Sequence, residues 1–268
     1  MAYTSRMARV AALYRYPVKG FTPERPQSLT ALANGRIAGD RSLAFRFADS
    51  GLPETAWSRK YGFAVLANTP GLARLDLRVH PGTRRLSITL DGEVLVEDTL
   101  DSAGRQRIAS AVERFVLELP DNPLAGHRER RPLQLIGDAV TPRYQDSEHG
   151  QITLHSRESV ASVALALRQP QIDELRFRSN IAIDGVAAWE EQDWIGRKIR
   201  IGAVELEALR PKVRCLATHA NPSTGERDLQ VMQTLVRAFQ QQEPTFAIAL
   251  TTAGAGGEIH VGDKVGFV

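Results

Sequence analysis

Cysteine is nearly missing from this chain: its 268 residues contain one, Cys215. A single thiol excludes an intrachain disulfide framework, and equally an iron–sulfur cluster or zinc finger held by several thiolates. Aromatic residues are scarce at 6%, and no apolar run approaches the roughly 20 residues of a membrane-spanning helix. Residues 1–14 lack the apolar core of a secretory signal, so the expectation is a cytoplasmic protein. No Lys/Arg-dense run interleaved with aromatics occurs, so nucleic acid is not an expected partner. Neither a Gly-x-Ser-x-Gly elbow nor a Gly-rich phosphate loop appears, which removes the common serine-hydrolase and nucleotide-binding signatures.

What is present is ordinary in bulk. Hydrophobic residues make up 43% and charged residues 24%, as in a globular protein large enough for one or two domains. Net charge is +3, from 34 basic and 31 acidic residues. Arginine supplies most of the positive charge, and its planar fork suits phosphate better than a lysine point charge.

Strand signals dominate. Residues 8–18 and 42–47 are rich in β-branched and aromatic residues, and the stretch from Leu72 alternates at period two. Asp91-Gly92 predicts a tight hairpin between strands over 86–90 and 94–96. Ile108, Val112, Phe115, Val116 and Leu119 recur at helical spacing, and a domain boundary is expected near 121–123. Beyond it, strands are expected at 133–136, 151–154, 198–201, 204–209, 247–251 and 259–267. Residues 176–183 also read as extended, with Arg176 and Arg178 on one face. Ser156 is expected to cap a helix over 158–167, and Asp228 a helix carrying Met232, Leu235, Val236 and Phe239. The residue patterning predicts a mainly β chain with a few helices.

The candidate chemistry centres on Cys215, between Lys212-Val213-Arg214 and the turn-forming Asn221-Pro222-Ser223-Thr224-Gly225. Fixed positive charge stabilises a thiolate, which is both the nucleophile and the metal-ligand form of cysteine. A single cysteine also serves as a small buried hydrophobe, and local sequence leaves both roles open. In a regular strand Lys212 and Arg214 face away from Cys215, so convergence on one ligand requires the chain to leave strand geometry near Val213. His149 and His155 lie beside the polar 144–150 segment; histidine is a proton donor near neutral pH, and equally a surface or core residue.

Seven segments carry a resemblance spread over some 250 residues. Residues 176–181 (Arg-Phe-Arg-Ser-Asn-Ile), 189–196, 214–215, 221–228 and 259–265 are similar to a MOSC domain, the domain found at the C-terminus of molybdenum cofactor sulfurases. Residues 16–20 (Tyr-Pro-Val-Lys-Gly) and 35–41 (Gly-Arg-Ile-Ala-Gly-Asp-Arg) resemble the N-terminal β-barrel domain that precedes it in amidoxime-reducing proteins. The resemblance implies a mainly β, barrel-like fold, with an N-terminal β-barrel domain over 1–122 packed on a MOSC domain over 123–268. It also implies a molybdenum cofactor with its pyranopterin, and an oxidoreductase that reduces N-hydroxylated or N-oxide small molecules. Electrons would come from a ferredoxin-like protein or flavin reductase acting in trans. By the same resemblance Cys215 is the molybdenum ligand and a catalytic residue, with Lys19, Arg41, Arg178, Asn180 and Arg214 as cofactor-binding residues. His149 is the candidate catalytic proton donor. Pyridoxal phosphate is an alternative ligand, and a non-catalytic carrier or sensor of cofactor or sulfur on Cys215 is an alternative role. Three positions depart from the reductase pattern: Gly20 replaces a serine, Ser179 a proline, and Val213 a serine.

Overall fold

The computed structural model describes all residues except 1–6, 52, 55 and 81, so the start of the 1–14 segment lies outside it. Fourteen strands and three α-helices are described, and the fold is mainly β. Seven strands form one antiparallel-dominated sheet. In spatial order they are β1 (Arg9–Leu13), β9 (Ile181–Asp184), β8 (Ile152–Ser156), β12 (Thr245–Thr252), β11 (Val204–Val213), β10 (Lys198–Ile201) and β14 (Val265–Phe267). Only β8 and β9 run parallel. The two edges nearly meet: Val10 N donates to Asp263 O at 2.9 Å and Val265 N to Ala8 O at 2.8 Å. The sheet is therefore barrel-like, which satisfies edge groups that an open sheet leaves exposed. Leu13, Leu154, Ile181, Ile183, Leu206 and Ile248 fill its interior.

A second core lies beside the barrel. Strands β4 (Leu75–His80), β5 (Arg85–Leu90) and β6 (Glu93–Thr99) form a meander covered by α1 (Ser102–Glu118). Leu77, Leu86 and Ile88 pack there against Ile108, Val112 and Val116 of α1. Asp91 and Gly92 both adopt positive φ (53° and 90°), as a two-residue hairpin turn requires. Asp101 starts α1 by accepting from Gly104 N at 2.8 Å. The Ser156 cap of α2 (Arg157–Ala166) is present as expected, with Ser159 N at 3.1 Å.

Strand pairing crosses the 122/123 division in both directions. Strand β1 joins the barrel sheet, and β2 (Ser28–Leu32) pairs with β13 (Gly256–His260). Strand β3 (Leu43–Arg46) pairs with β7 (Gln134–Gly137). From β1 the chain runs in the barrel, leaves to build the second core and returns. Among the described residues, no helix is long and apolar enough to cross a membrane.

Three local expectations are corrected. Residues 176–183 are not one strand. Glu174–Phe177 is a 3-10 turn in which Leu175 N donates to the Asp173 side chain, Arg178 is left-handed (φ 51°), and β9 begins only at Ile181. Asp228 does not cap α3 (Val231–Ala238); Gln230 stands at that position, and the Asp228 carboxylate is taken by Arg176 and Asn221. Leu72 lies in a 3-10 turn opened by Pro70, so the alternating strand starts at Leu75.

Candidate functional site

A cavity of about 540 Å³ opens where the barrel meets the second core, and Cys215 lies in its wall. Lys19, Arg41, Arg178, Asn180, Arg214 and His149 all line the same cavity, so the structure brings these sequence-predicted residues together with Cys215. Strand β11 makes this possible by losing its regularity. Its register with β12 slips between Ala208 and Arg210, and again between Pro211 and Val213. It ends at Val213, and a 3-10 turn over Leu216–His219 follows Cys215. Lys212, Arg214 and Cys215 consequently share the cavity, as convergence on one ligand demands.

Two arginines clasp an aromatic ring beneath the floor. The guanidinium of Arg41 lies 4.8 Å and that of Arg178 4.3 Å from the buried Tyr16 ring centre. Stacking there lowers the cost of holding two cations close together. Arg41 pairs with Asp40, whose other oxygen accepts from Tyr16 N at 2.8 Å. Burial, the largest single influence, opposes the charge on Arg41, but Asp40, Tyr16 and Asp146 together outweigh it and raise the pKa above its usual range. Arg178 donates to Phe21 O at 2.7 Å, and Arg214 donates to Phe246 O at 2.8 Å and Phe177 O at 3.0 Å. Carbonyls neutralise less than carboxylates do, and burial lowers both Arg178 and Arg214 to about 10. Each keeps one buried nitrogen, Nη2, with no hydrogen-bond partner. Orphaned buried donors are uncommon and costly.

Lys19 is buried. Its ammonium bonds Tyr144 O at 2.8 Å and forms an ion pair with Asp146. Burial lowers its pKa, against the pull of Asp146. Burial alone would raise Asp146, but Lys19 holds that carboxyl well below the usual carboxylate range. The Asp146 side chain is nonetheless 62% solvent-accessible, so this pair lies at a wetted wall of the cavity. Asn180 is fully occupied by protein. Its amide nitrogen donates to Tyr14 O (3.2 Å) and Asp40 (3.3 Å), and its oxygen accepts from Thr153 N and Oγ1. It braces β1 against β8 while one side faces the cavity. His149 is exposed at the rim. His155 is buried elsewhere, against Glu174, Phe177 and Phe246, and does not line the cavity.

Sequence reasoning missed several contributors. Lys60, from a 3-10 turn over Lys60–Gly62, reaches the cavity. Burial opposes its charge, yet the facing Cys215 and Asp146 raise its pKa. Arg36 spans to Gln145, Pro142 O (3.2 Å) and Glu148 O (2.6 Å), fastening the 142–150 loop. Asp146 itself carries no local signal; only the fold sets it against Lys19. Gly20, read as a lost hydroxyl, has a backbone reason. Its φ is 85°, and a Cβ there would lie 2.8 Å from Val65 Cα.

A thiol in a cation-lined cavity between a β-barrel and a flanking β core defines a site for an anionic ligand containing a soft atom. Residues 141–266 match the model of the MOSC domain. The molybdenum cofactor sulfurase of Homo sapiens is 41% identical over 61 residues, covering 23% of this chain and 7% of that protein. The sulfurase of Anopheles gambiae is 33% identical over 103 residues, covering 37% and 13%. Mitochondrial amidoxime-reducing component 1 of Xenopus laevis is 25% identical over 141 residues, covering 53% and 40%. The chain therefore matches less than half the length of each of these relatives. Among solved structures, the YUAD protein from Bacillus subtilis aligns with a TM-score of 0.42 at 12% identity, covering 97% of this chain and 94% of that one.

Proposed function

We propose that this chain binds the molybdenum cofactor and uses it to reduce N-hydroxylated or N-oxide substrates, with electrons from a separate reductase. The observation that carries the reading is Cys215 in a cavity wall beside two guanidinium groups, Arg178 and Arg214, that each retain an unpartnered buried nitrogen. Among the described residues no three His, Cys, Asp or Glu side chains form a metal-holding group. A metal at Cys215 would thus take one thiolate from the protein and its remaining ligands from the cofactor, a donor set that suits a soft site. Those donors and the cationic lining fit such a group.

Cys215 would be the metal ligand. Arg178 and Arg214 would give their free donors to the anionic part of the cofactor, where charge-assisted bonds are short and strong. Arg41 and Lys19 add positive charge, and Asn180 holds β1 and β8 in the positions that aim Arg178. When bound, the cofactor would supply two-electron oxygen-atom transfer. His149, at the rim, would deliver a proton to the leaving oxygen as water forms. Lys60 and residues 145–150 of the loop form part of the cavity wall.

The rival reading, a carrier of cofactor or sulfur on Cys215, draws on the similarity to molybdenum cofactor sulfurases. One experiment separates the two. The chain is purified from a host that makes the cofactor, assayed for molybdenum, and tested for benzamidoxime reduction with a reduced viologen dye. The reductase reading expects molybdenum near one per chain, lost in Cys215→Ala, together with turnover. Full molybdenum without turnover selects the carrier; full molybdenum in Cys215→Ala overturns the ligand assignment.

A further inference from the structure

Four cations of the cavity are held in one of two ways. Lys19 pairs with Asp146 and Arg41 with Asp40, while Arg178 and Arg214 are tied to backbone carbonyls. Arg210 and Lys212, nearer the solvent, have neither arrangement. Arg210 Nη2 and Lys212 Nζ both donate to one neutral oxygen, Gln151 Oε1, at 3.1 Å and 3.3 Å. Among the described residues neither forms an ion pair with a carboxylate. Two positive groups converging on one uncharged oxygen repel each other, and an anion at that point relieves the repulsion. Gln151 holds its place with a left-handed backbone, φ 93°, in a non-glycine residue. Burial, then the charges of Arg214 and Arg210, lower Lys212 to about 8.

We propose that Arg210, Lys212 and Gln151 form an outer subsite that binds a carboxylate or phosphate group carried by the substrate, so that the preferred substrates are anionic. This rests on the reductase reading and adds its substrate class. The placement of the residues follows from β11: its register with β12 slips just before Arg210 and again across Lys212, and both residues line the cavity.

The test compares 4-carboxybenzamidoxime with benzamidoxime on the purified chain, by calorimetric affinity without reductant and by turnover with a reduced dye. It uses wild type, the double variant Arg210→Gln/Lys212→Gln, and the charge-conserving Arg210→Lys/Lys212→Arg. The expected result is binding and kcat/KM favouring the carboxylated compound by about ten-fold or more in wild type, as one charged hydrogen-bonded contact provides. That ratio should fall towards one in the Gln variant, chiefly through KM, and recover in the charge-conserving one. Equal affinities in wild type, or a ratio that survives in the Gln variant, overturn the proposal. Selective binding without turnover of either compound upholds the subsite and removes the reductase reading instead. Loss of molybdenum from the Gln variant would mean that the bound anion belongs to the cofactor, and overturns the substrate assignment.

Discussion

Arg176 and Asp228 meet at 2.7 Å beneath the turn that follows Cys215. The arginine is almost fully buried, and its other nitrogen donates to His219 O at 3.0 Å. Thr218 closes the turn by bonding back to Cys215 O at 3.0 Å through its hydroxyl. The last residue of the 221–228 motif thereby reaches the candidate ligand through Arg176 and Thr218, whose carbonyl oxygen accepts from Arg176 at 3.5 Å. Removing Asp228 leaves a buried guanidinium with only carbonyl partners. Asp228→Ala is expected to destabilise the chain by about 2–3 kcal/mol in urea unfolding, a figure reduced for the partly exposed carboxylate. It should also change the alkylation rate of Cys215, the sole thiol and hence a clean reporter. A loss below about 0.5 kcal/mol, the range of neutral surface changes, would contradict the pairing's importance.

Gly20→Ser restores the residue expected from the resemblance, and it should be costly here. The left-handed backbone and the 2.8 Å approach to Val65 Cα leave no room for a Cβ. A loss of about 2 kcal/mol or more is expected in equilibrium unfolding. A neutral or stabilising result would show that this turn rearranges without difficulty.

Asp146→Asn tests the wall of the cavity through pH. In the folded chain Asp146 is held below its usual range by Lys19, so the unfolded chain binds its proton first as pH falls. The wild-type advantage over the variant should be complete at neutral pH and narrow progressively below about pH 4. Unfolding free energies measured at several pH values for both chains check this. A gap that stays constant into acid would mean that Asp146 acts by packing or neutral hydrogen bonding alone.

Lys212→Gln has the opposite sign. Lys212 is lowered to about 8, so below that pH the folded chain carries a cation that the unfolded chain accommodates more easily. The variant should be the more stable at pH 7. The gap should shrink between about pH 8 and the ordinary lysine value near 10.4, where both states lose the proton. Unfolding curves at pH 7 and 9.5 measure it, and equal gaps at both would contradict the burial of that charge.

Much of this was legible in order along the chain. Asp91-Gly92 makes its hairpin and Ser156 caps its helix, because both depend on residues within three or four positions of each other. The barrel-like class followed from strand patterning with matched motifs. The failures share a cause. Asp228 looked like a helix cap until a buried arginine 52 positions away claimed its carboxylate. The 176–183 stretch looked extended until Asp173 capped a turn and Arg178 went left-handed. Strand β2 has an unremarkable local sequence and exists because Gly256–His260 pairs with it.

By itself the sequence offered one thiol with nearby cations as the candidate chemical focus, and left burial as a small hydrophobe equally open until the family resemblance was weighed. It also determined which residues form the hairpin and helices of the second core, since those rest on short-range periodicity and turn chemistry. Only the tertiary structure decided which charges are spent and which remain available. Lys19, Arg41 and Asn180 are engaged by Asp146, Asp40 and Thr153, whereas Arg178 and Arg214 keep an unpartnered nitrogen and Arg210 and Lys212 share one neutral oxygen. Hydrogen-bond satisfaction and desolvation depend on three-dimensional neighbours, and no spacing along the chain encodes them.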